Sequence, residues 1–140
     1  MIGQFMGAYR FLSNFYPCKV NYCGVVYRNS ECAFQAQKCP DRVEEFVNLK
    51  ASEGKALGRK VKIRKDWDRV KDKIMYEILY CKFTQNKNLK ENLLNTGDEY
   101  LQEGNDWYDV YWGVDIHTGK GLNRLGTLLM RVREELRNHD

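Results

Sequence analysis

The stretch Ser30-Glu31-Cys32-Ala33-Phe34-Gln35-Ala36-Gln37-Lys38-Cys39 constrains the fold of this chain more than any other, because it reads as a helix buried around most of its circumference. At about 100° per residue, Glu31, Gln35 and Lys38 fall within roughly 60° of one another. Cys32, Ala33, Ala36 and Cys39 cover the neighbouring arc, and Phe34 flanks the other side. These small and often buried types leave a narrow polar stripe hemmed in by apolar surface, which suits close packing around a cleft. Asn29 or Ser30 supplies a capping oxygen, and Glu31 lies near the positive end of the helix. The same residues also fit an i, i+7 pair of surface charges around a glutamine, so the segment alone leaves both readings open.

At 140 residues the chain is expected to form one domain with a single core. Lys and Arg number 23 against 19 Asp and Glu, a net charge of +4 spread along the sequence. Anionic ligands suit that balance, but there is no basic stripe or recognisable motif of a nucleic-acid-binding domain. Five cysteines at 18, 23, 32, 39 and 81 are odd in number and lack CxxC spacing, which indicates neither a disulfide framework nor a zinc site. Neither a secretory leader nor a membrane span is legible, so a cytoplasmic protein is expected. His117 and His139 stand in no ligand-like cluster, and metal or triad chemistry has little material. Catalysis is therefore expected to rest on carboxylates or lysine, with no metal and no cofactor.

Two short β-prone runs, Lys19 to Tyr22 and Val25 to Tyr27, surround Cys23-Gly24 and predict a hairpin leading into the helix at 30–39. Further helices are predicted around 41–48, 52–58, 66–81 and 89–94, the last stopped near Gly97. In the longest of them Val70, Ile74, Ile78 and Cys81 form the apolar stripe. Tyr108 to Val114 is aromatic and β-branched enough for a strand. Gly119 to Gly121 opens a terminal helix whose predicted core face is Leu122, Leu125, Leu129, Val132 and Leu136. The expected fold class is α+β, a mostly helical single domain over residues 1–140 with a small β-sheet.

Four further segments could carry chemistry. Leu12-Ser13-Asn14-Phe15-Tyr16-Pro17 sets small polar groups between large apolar ones, either as a self-bonded turn or as the lining of a pocket. Trp67 opens the longest helix and offers a ring for core packing or for stacking on a heteroaromatic. On a strand, Asp109, Tyr111 and Gly113 would share one face beside Trp112, making Asp109 a backbone anchor or a site residue. Gly119 to Gly126 has neither Walker nor Rossmann spacing, although helix-start amides can hold a phosphate oxygen. Arg59 and Arg64 are either alternative phosphate contacts or, as surface charges more often are, simply solvated.

Taken together, these segments resemble the NADAR, or YbiA-like, family over nearly the whole chain and in the family's order. The resemblance is carried by Leu12 to Pro17, Glu31 with Phe34 to Lys38, Leu57 to Arg59, Arg64 to Trp67, Lys82 to Asn86, Leu93 to Gly97, Asp109 to Gly113 and Gly121 to Arg133. Cys32-Ala33 departs from the histidine and aromatic residue that many relatives carry after the glutamate, which bears on pocket shape. The resemblance implies hydrolysis of a ribose C1–N bond by an N-glycosidase. Its implied substrates are phosphorylated ribosylamino-pyrimidine intermediates of riboflavin biosynthesis, or an ADP-ribosyl group on guanine, including ADP-ribosylated nucleic acid; a non-catalytic ADP-ribose or nucleotide-binding module is the competing reading. Glu31, Lys38 and Asp109 are the catalytic candidates. Asn14, Phe15, Gln35, Trp67, Trp112, Gly113 and Asn123 are the substrate-binding ones.

Overall fold

In the computed structural model, which describes residues 1–139, the chain forms two units. One is continuous, Asn14–Lys87, and the other joins Met1–Ser13 to the chain from Asn88 onward. The architecture is α+β, with helices predominating over two small two-stranded sheets.

The continuous unit begins with an antiparallel hairpin, β1 (Pro17–Tyr22) and β2 (Val25–Asn29), in which Tyr22 faces Val25. That register leaves only Cys23 and Gly24 in the turn, both with positive φ, at +52° and +83°. This is the two-residue geometry whose twist matches the strands it joins. β2 runs directly into α1 (Ser30–Ala36), capped by Asn29, whose Oδ1 accepts from the Cys32 N–H at 2.8 Å. All seven residues of α1 are buried. The helix ends three residues short of the predicted Cys39. Lys38 and Cys39 continue only as tighter turns, donating to the Gln35 and Ala36 carbonyls, while Pro40 holds Cys39 out of the helical region at φ −140°, ψ 84°.

Residues Pro40–Phe46 form 3-10 turns kinked at Arg42, in place of the helix predicted there. Next comes α2 (Ala51–Gly58), whose first turn is closed by the Lys50 N–H donating to Glu53 Oε1. The longest helix, α3 (Trp67–Gln85), runs four residues beyond its predicted end and buries Trp67, Ile74, Met75, Ile78, Leu79, Lys82 and Phe83. Within this unit α1 packs against both α2 and α3, and α3 covers β1.

The other unit holds a 3-10 segment (Gly7–Leu12), α4 (Lys87–Leu94), the short parallel pair β3 (Gly104–Asn105) and β4 (Val114–Asp115), and α5 (Arg124–Asn138). The predicted strand over 108–114 is not formed, apart from Val114. Side chains take its backbone groups instead: Asn105 Oδ1 accepts from the Trp107 and Asp109 N–H groups, and Asp109 Oδ1 from those of Tyr111 and Trp112. α5 starts at Arg124, later than predicted, and Leu122 is 59% exposed rather than part of the core. Leu125, Leu129, Val132 and Leu136 are buried as expected, joined by Leu128.

Candidate active site

Glu31 sits in the first turn of α1 with 9% of its surface exposed. One turn on, Gln35 donates from Nε2 to Glu31 Oε2 at 2.7 Å, so the carboxylate is held by an amide that is itself buried. The amide fixes the orientation of the carboxylate within the first turn of α1. The other end of the same amide, Gln35 Oε1, is buried without a hydrogen-bond partner and lies against Gly58 of α2.

That contact explains two glycines. A Cβ on Gly58 would overlap Gln35 Oε1, and a Cβ on Gly54 would overlap Cys32 Sγ. Gly54 and Gly58 are one turn apart, so together they let α2 approach α1 closely along the line of Cys32 and Gln35. Burial pushes the Cys32 thiol up to about 11, which leaves it protonated at neutral pH and unsuited to nucleophilic attack.

Asn14 fastens the start of α1. Its carbonyl accepts from the Glu31 N–H at 3.0 Å, its Oδ1 accepts from Ser30 Oγ at 2.9 Å, and its Nδ2 faces Met75 Sδ at 3.5 Å. The side chain bonds another element rather than its own turn. Phe15, next in sequence, is exposed and lies under Lys55 Nζ, 5.8 Å from the ring centroid.

Lys38 is half-buried in the turn after α1, and its carbonyl accepts from the Arg64 N–H at 2.8 Å. Burial lowers the pKa of its ammonium; Glu31 opposes that shift, while Arg59, Lys55 and Lys71 add to it. A lysine so placed yields neutral amine at lower pH than an exposed one. Trp67 is buried with its ring on Phe34, centroids 5.0 Å apart at 49°, which makes it a wall behind α1. Arg64 and Asp66 pair at 2.6 Å just ahead of it.

One unit thus brings together Asn14, Phe15, Glu31, Gln35, Lys38 and Trp67. The remaining candidates belong to the other unit. Asp109 uses Oδ1 to accept from its own loop, and Trp112 stands edge-on to Tyr111 at 4.9 Å. A Cβ on Gly113 would meet the Glu103 carbonyl. Asn123, at φ +52°, uses its whole amide: Nδ2 donates to the Leu101 carbonyl and the Tyr100 hydroxyl, and Oδ1 accepts from the Glu103 N–H. An open cavity of about 430 Å³ in this unit is lined by Met1, Gly3, Gln4, Val114, Asp115 and Ile116 among others, none of them a candidate residue.

Sequence reasoning passed over Gly54, Gly58, Lys55 and Lys71. The i, i+4 pair Gly54/Gly58 was the available signal for the glycines, a small-residue row one helical turn apart.

A buried carboxylate held by an amide, with a half-buried lysine of lowered proton affinity in the turn after its helix, is the equipment of an enzyme that works by charge stabilisation and acid–base or amine chemistry. The chain belongs to the NADAR domain family, whose pattern matches residues 4–137. It is 41% identical over 134 residues to a riboflavin biosynthesis protein of Vibrio vulnificus, an alignment covering 92% of this chain and 36% of that longer protein. It is 38% identical over 138 residues to an N-glycosidase of Nostoc punctiforme, covering 93% of this chain and 87% of the relative. The NMR structure of Escherichia coli YbiA superposes with a TM-score of 0.85 at 35% identity, covering 99% of this chain and 88% of that one.

Proposed function

We propose that this hydrolase of N-glycosyl bonds cleaves the ribose C1–N bond of phosphorylated ribosylamino-pyrimidine intermediates of riboflavin biosynthesis. The observation that carries the reading is the buried Glu31–Gln35 pair beside Lys38. The names of the relatives from Vibrio vulnificus and Nostoc punctiforme support the substrate class and the bond. Five free cysteines suit a reducing cytoplasm as the compartment, and no described helix is long and apolar enough to cross a membrane.

Breaking a ribosyl C1–N bond builds positive charge on the sugar, and a carboxylate nearby stabilises that charge more than the neutral ground state. At 4 Å and an effective dielectric near 20, a full charge pair is worth about 4 kcal/mol. Glu31 has this role. Lys38 is the nucleophile: its neutral amine adds to C1 of the ring-opened ribosylimine, and a proton moves to the pyrimidine amine, which leaves as the C1–N bond breaks. Water then adds to the resulting lysine imine and releases the sugar phosphate as its aldehyde, restoring the amine. Trp67 backs α1 through Phe34, and Asn14 sets the position of Glu31. Asp109 and Asn123 organise the loop that precedes α5 in the other unit.

Two other readings are weaker. A non-catalytic binding module would use an open tryptophan face, whereas Trp67 is 8% exposed and already packed on Phe34. Removal of ADP-ribose from guanine would use the same bond chemistry. Incubating the protein with a ribosylamino-pyrimidine phosphate and, separately, with ADP-ribosylated guanine, and following ribose phosphate or ADP-ribose by mass spectrometry, distinguishes them. Ribose phosphate from the first substrate is the expected result; release from the second alone moves the assignment to ADP-ribosyl hydrolysis, and release from neither overturns the glycosidase reading.

A further inference from the structure

We propose that the open cavity in the unit containing α5 is a binding site for a small organic cation, an alkylguanidinium or alkylammonium, held by Asp115. The cavity has a volume of about 430 Å³, within the range of small-molecule sites, and its lining includes Met1, Gln4, Gln102, Val114, Asp115 and Ile116. Backbone bonds build it from segments far apart in the chain. The Gly104 N–H donates to the Gly3 carbonyl at 3.1 Å, the Gln102 N–H to the Ile2 carbonyl at 2.9 Å, and the Ile116 N–H to the Asn105 carbonyl at 3.0 Å. Gly104 permits this approach, since a Cβ there would overlap the Gly3 carbonyl oxygen and crowd Gln4 and Ile116. The cavity wall is thus fixed by the backbone before any ligand arrives.

Asp115 supplies the charge. It is only 9% exposed, yet no cation among the described residues pairs with it. Its Oδ1 accepts from the His117 N–H at 2.8 Å, and no described group donates to Oδ2. A buried carboxylate ordinarily has a cationic partner or several donors, and this one has a single backbone N–H. The amine of Met1, another lining residue, is already paired with Glu99 at 2.6 Å. Gln102 uses Nε2 on the Gly3 carbonyl, which leaves its Oε1 as a second acceptor, while Val114, Ile116 and the Met1 side chain are apolar. A lining that is negative, rich in acceptors and partly apolar selects an N–H-bearing cation with a hydrocarbon portion and disfavours phosphates and carboxylates. No cluster of three or more metal-ligating side chains occurs among the described residues, so the lone carboxylate suits an organic cation better than a metal ion.

This site rests on no part of the glycosidase reading, and its presence is tested without turnover. Titrating the intact protein with butylguanidinium and, separately, with butylammonium, followed by amide chemical shifts, should give saturable shifts at Gln102, Asp115, Ile116 and Gly119 with at least one of the two. Butylurea, which has the shape of butylguanidinium without its charge, should bind at least tenfold more weakly. Asp115→Asn keeps an oxygen for the His117 N–H but removes the charge, and it should weaken binding of the cation tenfold or more. Asp106→Asn removes an exposed charge of the same unit outside the cavity lining and should leave binding unchanged. Absence of saturable shifts at these residues with both cations overturns the site, as does butylurea binding as tightly as butylguanidinium. Equal binding by a folded Asp115→Asn variant, or an equal loss in Asp106→Asn, overturns it too. Should Asp115→Asn not fold, the comparison with butylurea decides the matter on the unaltered protein.

Discussion

At the scale of single residues, the site reduces to a carboxylate and the amide that orients it. Glu31→Gln keeps the shape and the hydrogen-bonding capacity but removes the charge, so turnover should fall roughly 10³-fold, the rate equivalent of about 4 kcal/mol. The melting temperature should change little, and near-normal hydrolysis by this variant removes Glu31 from the mechanism. Gln35→Met tests the amide separately. Its Nε2 donates to Glu31 Oε2, so its loss leaves the carboxylate unheld on that side, and kcat should fall roughly tenfold, the equivalent of a charge-assisted hydrogen bond of about 1.5 kcal/mol. An unchanged kcat in a folded variant means Gln35 is only packing. Burial lowers the pKa of Lys38, so the neutral amine accumulates as pH rises toward that lowered value. Borohydride added during turnover should add the reduced sugar's mass at Lys38, with a yield that rises from pH 7 to 9; an active enzyme that is never trapped argues for direct attack by water.

At the scale of elements, the site depends on how closely α2 approaches α1. Gly58→Ala places a Cβ where Gln35 Oε1 and Cδ now lie, and relieving that overlap moves either the helix or the amide. The expected cost is about 1–3 kcal/mol of stability, with a loss of kcat larger than the loss of folded protein, because the amide that moves is the one holding Glu31. Thermal denaturation beside kcat on the soluble fraction checks both. Much of this was legible in the chain: the two-residue turn at Cys23-Gly24, the cap at Asn29 and the polar stripe of Glu31 and Gln35 all follow from local rules. The end of α1 was misplaced because helical periodicity carries through Cys39, whereas Pro40 restricts the residue before it. The strand over 108–114 failed for a related reason. Its β-prone side chains outweighed Asn105 and Asp109 in the reading, yet those two side chains take the N–H groups a strand would have needed.

At the scale of the whole molecule, the order of segments matters as much as their type. The unit that contains α5 is assembled from both ends of the chain: the Ile2 N–H donates to the Tyr100 carbonyl, and the Ile2 and Gly3 carbonyls accept from the N–H groups of Gln102 and Gly104. Ile2 is buried as well. Deleting residues 1–3 removes three backbone hydrogen bonds at about 1 kcal/mol each and an isoleucine burial of about 2 kcal/mol. The melting temperature should fall by roughly 10 °C by calorimetry; an unchanged value means the terminal segment is not part of that unit's cooperative core. By itself the sequence determined the helical predominance, the hairpin, the cap and the identity of the acidic and basic candidates, because capping, turn chemistry and helical spacing act within a few residues. Only the tertiary structure decided which carboxylate is held by a buried amide, and that Gly54 and Gly58 admit α2 against it. Those outcomes depend on contacts between elements far apart in the chain, where close packing and desolvation act and local patterns carry no information.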